Sequence, residues 1–201
     1  AVSNESFLAG TTIISDNVLD AVDSIMTCRP DYLVMGMSAI TFYGGVEGAN
    51  NFKEKIETAS GVGVSIGSHS TTKALHAYGN IKKIAFFSPY FPIANKEVRQ
   101  YFEECGFAVA QEVCLECPSW TAIAEVPTNQ LRKIVDDLNS KEVDALVQVG
   151  TNLCMAKLAG EVEAVIKKPV IAINTATYWH ALRSNGIEDK IQGFGKLLEE
   201  L

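Results

Sequence analysis

Asp31-Tyr32-Leu33-Val34-Met35-Gly36-Met37-Ser38 and Asp144-Ala145-Leu146-Val147-Gln148-Val149-Gly150-Thr151-Asn152 are two versions of one pattern: an acidic residue, an apolar run of strand length, then glycine among small polar residues. Such a run is too short for a helix, and one that is apolar throughout belongs to a strand covered on both faces. Its recurrence in both halves of the chain predicts a duplicated fold, with two strand ends facing each other across one cleft.

Working outward, further apolar runs give six expected strands, at 32–35, 63–66, 83–87, 108–113, 145–149 and 170–173. Between them lie helical segments at 16–28, 47–60, 71–78, 95–105, 119–126, 128–140, 152–167, 176–185 and 194–201. Tyr78-Gly79, Cys105-Gly106 and Asn185-Gly186 read as helix stops, and Pro127-Thr128 as a start capped by Thr128. Strands alternating with helices define an α/β fold with parallel sheets, in two lobes. The first lobe is expected to take residues 1–79 and 180–201, the second 80–179. Residues 1–16 read as the tail of a strand and a loop, as though the first lobe lacked its opening strand.

The composition narrows the function. With 201 residues, 47% hydrophobic and 20% charged, the chain can bury a substantial core. A formal net charge of -7 argues against a nucleic-acid partner, which favours a basic face. No apolar run approaches the roughly 20 residues of a membrane span. The N-terminal AVSNESFLAG lacks the pattern of a signal peptide. Five cysteines, an odd number, fit a reducing compartment, with the cytoplasm expected. Gly61-Val62-Gly63 precedes a strand and lacks dinucleotide spacing, so no nucleotide cofactor is expected. Cys114-Leu115-Glu116-Cys117 has no second ligand pair for zinc and reads as coincidence or as two half-buried thiols.

Ligands of open parallel sheets bind beyond the carboxyl ends of the strands. The candidate binding residues are therefore Gly36, Met37 and Ser38, Ser88 and Tyr90, Gly150, Thr151 and Asn152, and Asn174. Free backbone N–H groups at such ends bind anions, carboxylates included, although each segment is also ordinary turn chemistry. His69, in an expected strand-to-helix loop, is a candidate acid or base or else a capping residue. Tyr90 is a candidate donor or acid, or a ring packed under a loop. Cys154 either points a thiol at the cleft or is buried as a small hydrophobe. Tyr43 and Phe42 wall a pocket or fill the space between lobes. His76 and His180 are expected to be half-exposed on helices, and Trp179 to be core.

Three stretches carry a resemblance. Met35-Gly36-Met37-Ser38-Ala39-Ile40-Thr41-Phe42-Tyr43-Gly44-Gly45 resembles the substrate loop of arylmalonate decarboxylases. Lys83–Phe87 followed by Ser88-Pro89-Tyr90 resembles their central strand and tyrosine loop. Gly150-Thr151-Asn152-Leu153, Glu161-Val162-Glu163 and Lys168-Pro169-Val170 resemble the end of their second catalytic half, and also maleate cis-trans isomerases. Both groups are in the aspartate/glutamate racemase superfamily. The resemblance implies two pseudo-symmetric α/β lobes, an active site between them and no cofactor. Its substrate would be a small-molecule carboxylate, with the number of subunits left open.

Racemases of this superfamily use one cysteine per lobe, and the decarboxylases keep only the second. Those two positions fall here on Gly36 and Gly150. Met37 stands where the decarboxylases have threonine, while Ser38 and Tyr90 match their anion-hole serine and tyrosine. The implied site keeps its charge-stabilising groups, each worth roughly 3 kcal/mol when well placed. It lacks the usual thiol acid, leaving His69, Tyr90 or Cys154 to supply a proton. Loss of both side chains is expected to enlarge the pocket.

Overall fold

The structure, a computed structural model, describes residues 4–201. It opens with α1 (Asn4–Asp16) and α2 (Val18–Met26), followed by β1 (Tyr32–Val34), a 3-10 turn (Ala39–Phe42), α3 (Gly45–Ser60), β2 (Gly63–Ser65) and α4 (Gly67–Ala77). Next come β3 (Lys83–Ser88), α5 (Pro92–Glu104), β4 (Ala108–Cys114), α6 (Trp120–Ala124) and α7 (Thr128–Leu138). The chain ends with β5 (Ala145–Gln148), α8 (Ala156–Ile166), β6 (Val170–Ala172), α9 (Ile173–Ser184) and α10 (Lys196–Glu199). All six expected strands form and every pairing is parallel. β1 and β2 make a two-stranded sheet, and the others a four-stranded sheet in the order β4-β3-β5-β6.

Burial on both faces accounts for the continuous apolar runs. Along β3, Ile84 and Phe86 enter one core while Ala85 and Phe87 enter another. On β5, Val147 and Leu146 divide the same way, the period-2 alternation of a strand with no solvent face. The first core continues under β1, β2, α3 and α4. The second lies under α7, whose Leu131, Val135 and Leu138 form a single apolar stripe. The repeated acidic residue has a visible task in the second sheet. Asp144 Oδ2 accepts the N–H groups of Lys82 (2.9 Å) and Lys83 (2.8 Å), fixing where β3 begins beside β5.

The N-terminal segment differs from expectation. Ala1–Ser3 lie outside the described residues, and α1 occupies most of the stretch that reads as strand tail and loop. The β-branched run Thr11-Thr12-Ile13-Ile14 favours extended chain, but tertiary packing overrides propensity here. Phe7 is buried against the rings of Tyr90, Phe91 and Trp120, at 5.4, 6.0 and 5.3 Å. Thr11 and Ile14 extend that face at i+4 and i+7.

Helix starts differ as well. α4 and α9 leave their strands without a loop, at Gly67 and Ile173, so both begin earlier than expected. α8 begins only at Ala156, after a turn spanning 151–154. Pro127, not Thr128, occupies the cap of α7. The three glycine stops stand, with Gly79, Gly106 and Gly186 all at positive φ. α4 and α9 pack on each other, and α9 also touches β1, β2 and β6, so it joins the two sheets.

Candidate active site

The loops after β1, β3 and β5 and the first turn of α6 close around a cavity of about 200 Å³. Gly36 and Met37, Pro89 and Tyr90, Gly150 to Asn152, Trp120 and Ile123, and Ile14 of α1 line it. Polar and apolar groups both line it, and among the described residues no lining residue is charged. A larger cavity of about 700 Å³ lies between α1, α2 and β1. Its wall is mostly aliphatic and it gathers no set of donors, so the smaller cavity is the better place for carboxylate chemistry.

Among the described residues, Tyr90 is the only titratable group lining it. Its hydroxyl lies 2.7 Å from Ser38 Oγ, a bond that joins the loop after β1 to the loop after β3. Burial raises the phenol pKa above its ordinary value, and the Ser38 hydrogen bond partly opposes that rise. Ser38 is 1% exposed. Its carbonyl accepts both the N–H (3.0 Å) and the hydroxyl (2.7 Å) of Thr41. The Thr41 hydroxyl in turn accepts Ser68 N–H at the start of α4.

The tyrosine loop is held from both sides. Ser88 Oγ accepts Tyr90 N–H (3.0 Å) and donates to Asn95 Oδ1 (2.5 Å). Leu115 N–H, Cys117 N–H and Glu116 N–H bond the carbonyls of Ser88, Pro89 and Tyr90. The Cys-x-x-Cys stretch thus acts through its backbone, carrying the tyrosine loop. Its thiols are free, and burial pushes Cys114 up to about 11 and also raises Cys117, so neither is an activated nucleophile.

Of the residues expected at the site, Gly36, Met37, Tyr90, Gly150, Thr151 and Asn152 line this cavity, and Ser38 reaches it through Tyr90. The others lie elsewhere. His69 sits within α4, its ring 6.5 Å from that of Tyr101, because α4 starts directly from β2 and no loop carries the histidine to the cleft. Burial lowers its pKa, with Lys53 and Lys73 adding to the effect. Cys154 is exposed in the turn before α8, its thiol facing Ala124 O, because that helix starts after it. Tyr43 lines a separate small cavity with Thr11 and Ile40. Ser88 is fully buried beneath the tyrosine loop. Asn174 lies in the first turn of α9, and its Nδ2 donates to Thr151 O (2.7 Å). His180 is 7% exposed, not half-exposed, with Nδ1 near Ser65 Oγ (3.1 Å) and Ser70 Oγ (3.0 Å).

The two glycines also behave differently from each other. A Cβ on Gly36 would meet nothing within 4 Å, whereas on Gly150 it would run into the Pro89 ring, 2.5 Å from Cγ. Space is therefore open at the first thiol position and filled by proline at the second. Ile14, Trp120 and Ile123 were missed in the sequence. Ile14 was hidden by the strand-like reading of α1, and α6 carried no polar motif. Among the described residues no group of three or more His, Cys, Asp or Glu side chains is arranged to hold a metal ion. No helix among them is long and apolar enough to cross a membrane.

Parallel sheets whose strand ends face one cavity, with a serine–tyrosine bond joining two of its loops, give an α/β protein that resembles the racemase type. Residues 10–198 match the family model described as arylmalonate decarboxylase. The chain belongs to that family. The maleate isomerase of Pseudomonas putida is 31% identical over 127 residues, covering 63% of this chain and 50% of that protein. The maleate isomerase of Nocardia farcinica is 30% identical over 121 residues, covering 59% and 48%. The chain thus spans about half the length of the relatives it matches in sequence.

Among solved structures, the Nocardia farcinica maleate cis-trans isomerase bound to TRIS superposes with a TM-score of 0.89 at 22% identity, over 99% of this chain and 81% of that one. A crystal structure of arylmalonate decarboxylase gives 0.84 at 20%, over 96% and 85%. The chain shares their two-lobe fold.

Proposed function

We propose that this chain is a cofactor-independent enzyme acting on a small carboxylate, of the decarboxylase or cis-trans isomerase type. The observation that carries the reading is the Ser38–Tyr90 bond at the wall of a cavity whose loops present unpaired backbone N–H groups. Among the described residues, the N–H groups of Gly36, Met37, Thr151 and Asn152 donate to nothing. Neutral donors converging in a small, partly apolar cavity suit an anion whose charge grows during reaction. Family membership supports the same chemistry.

On a malonate, the bond to the departing carboxylate breaks and CO2 leaves. The electron pair enters the remaining carboxylate as an enediolate held by the N–H groups. Its carbon then takes a proton from Tyr90, and Ser38 donates to the tyrosinate until solvent reprotonates it. Although Tyr90 is a weak acid, a carbanionic carbon is a far stronger base. The apolar lining side chains, Ile14, Met37, Trp120 and Ile123, suit a hydrophobic substituent.

Proton NMR in heavy water tests this with phenylmalonate and with maleate. Deuterated phenylacetate with CO2 release, or fumarate formed from maleate, is the expected outcome. Tyr90→Phe and Ser38→Ala should each slow turnover roughly 10²–10³-fold. Unchanged turnover in both variants would refute the mechanism. The wall contains no thiol, which favours a second reading, a carboxylate-binding protein or an enzyme of different chemistry on this scaffold. Tight dicarboxylate binding without CO2, isomerisation or deuterium exchange would select it.

A further inference from the structure

Two amide side chains behind the cavity wall grip successive carbonyls of the loop after β5. Gln148 Nε2 donates to Gly150 O at 2.7 Å, and Asn174 Nδ2 donates to Thr151 O at 2.7 Å. A trans peptide is planar, with its N–H directed opposite to its C=O. Holding Gly150 O therefore fixes the direction of Thr151 N–H, and holding Thr151 O fixes that of Asn152 N–H. Those are two of the unpaired N–H groups at the cavity.

Packing does not account for either amide. Gln148 is 1% exposed on a strand otherwise built from Ala145, Leu146 and Val147. Burying an amide there costs free energy unless it is hydrogen-bonded, and an aliphatic side chain would fill the position without that cost. Asn174 is exposed and gains little from burial, yet it reaches across 23 positions of sequence to the loop. No lysine or arginine lines the cavity, so the direction of its neutral donors decides how well an anion is held.

We propose that Gln148 and Asn174 are positioning residues that orient Thr151 N–H and Asn152 N–H toward the bound carboxylate. The proposal rests on the carboxylate reading of the cavity, and its test separates the two. Malonate is titrated into the ¹⁵N-labelled chain while backbone amide resonances are followed. In the wild type the Met37, Thr151 and Asn152 amide protons should move downfield on binding. Asn174→Ala and Asn174→Asp are surface changes that should leave the circular dichroism spectrum unchanged. Both should weaken malonate roughly tenfold, the loss of about one hydrogen bond to charge. Both should also abolish the Asn152 response while keeping that of Met37.

Gln148→Met, of similar length and uncharged, should instead weaken the Thr151 response, because only Leu153 N–H (3.3 Å) then remains on Gly150 O. A purely structural role would lower stability without selecting one amide. If the Asn174 variants bind malonate with unchanged affinity and keep the Asn152 shift, the positioning role is overturned and the carboxylate reading stands. If none of the three wild-type amides responds at saturating malonate, both fall.

Discussion

Gly36 and Gly150 stand at matched strand ends, but only one of them is a vacancy that a side chain could fill. At Gly150 the backbone has φ 105°, a region L side chains rarely adopt, and the Pro89 ring already occupies the Cβ direction. Gly150→Ala should therefore cost about 1–3 kcal/mol and shift the tyrosine loop. Gly36→Ala, with open space and no positive φ, should change stability by no more than about 0.5 kcal/mol. Urea denaturation of the two variants checks the contrast, and equal losses would contradict it. The expectation that losing both thiol side chains enlarges the pocket thus holds at one position only. The proline that decides this was visible in the sequence, but its ring's place against Gly150 is a long-range contact that no local pattern encodes.

At the scale of elements, α9 carries a buried switch for acid stability. His180 lies against α4 and β2 through Ser70 and Ser65. Burial first, then the positive charges of Lys73, His69 and Lys53, lowers its pKa to about 4. The unfolded chain binds this proton near pH 6.5 and the folded chain only near pH 4. Stability should therefore fall as pH drops from about 6.5 to about 4 and level off below, with an upper bound of about 3 kcal/mol. His180→Gln, which cannot titrate, should flatten this window in denaturation curves taken across pH. An unchanged slope would assign the acid sensitivity to other groups. Asp144 works on β3 with the opposite chemistry. Its pKa is lowered by the N–H groups of Lys82 and Lys83, so its contribution is present at neutral pH and disappears only in strong acid. Asp144→Asn should cost less than about 1 kcal/mol at pH 7, because the carboxylate is exposed.

Elements differ in how much of them the sequence shows. The six strands were legible because each is buried on both faces and bounded by turn residues. The repeat led from them to Gly36, Ser38 and Gly150, and the end of β3 to Tyr90. α1 was illegible because its β-branched residues favour strand, and only the distant rings of Tyr90, Phe91 and Trp120 make it a helix that walls the cavity. His69 and Cys154 were misplaced for a related reason. Whether a residue near a strand end lies in a loop or a helix depends on where the helix starts, and α4 and α8 start without side-chain caps. Asn174 was noticed as a strand-end residue. Its grip on Thr151 O, like that of Gln148 on Gly150 O, is a tertiary contact.

For the whole molecule, the proposed site draws its lining from loops of both sheets. Gly36 and Met37 come from the loop of the two-stranded sheet, whereas Tyr90, Thr151 and Asn152 come from the four-stranded one. We propose that the chain divides into lobes near residues 79 and 180, joined by α9 and by the Ser38–Tyr90 bond. A dicarboxylate reaching both sets of N–H groups would tie the lobes together. By linkage, a ligand at one hundred times its Kd adds about 2.7 kcal/mol to the folded state. For a chain of this size that corresponds to a rise in Tm of roughly 5–10 °C. Calorimetry with malonate should show one transition shifted upward by that amount, and hydrogen exchange should slow in the loops after β1 and β5 together. Tyr90→Phe, which breaks the bridge to Ser38, should shrink the shift. Protection confined to one loop would mean that the ligand sits within a single lobe and that the cavity is not the shared site.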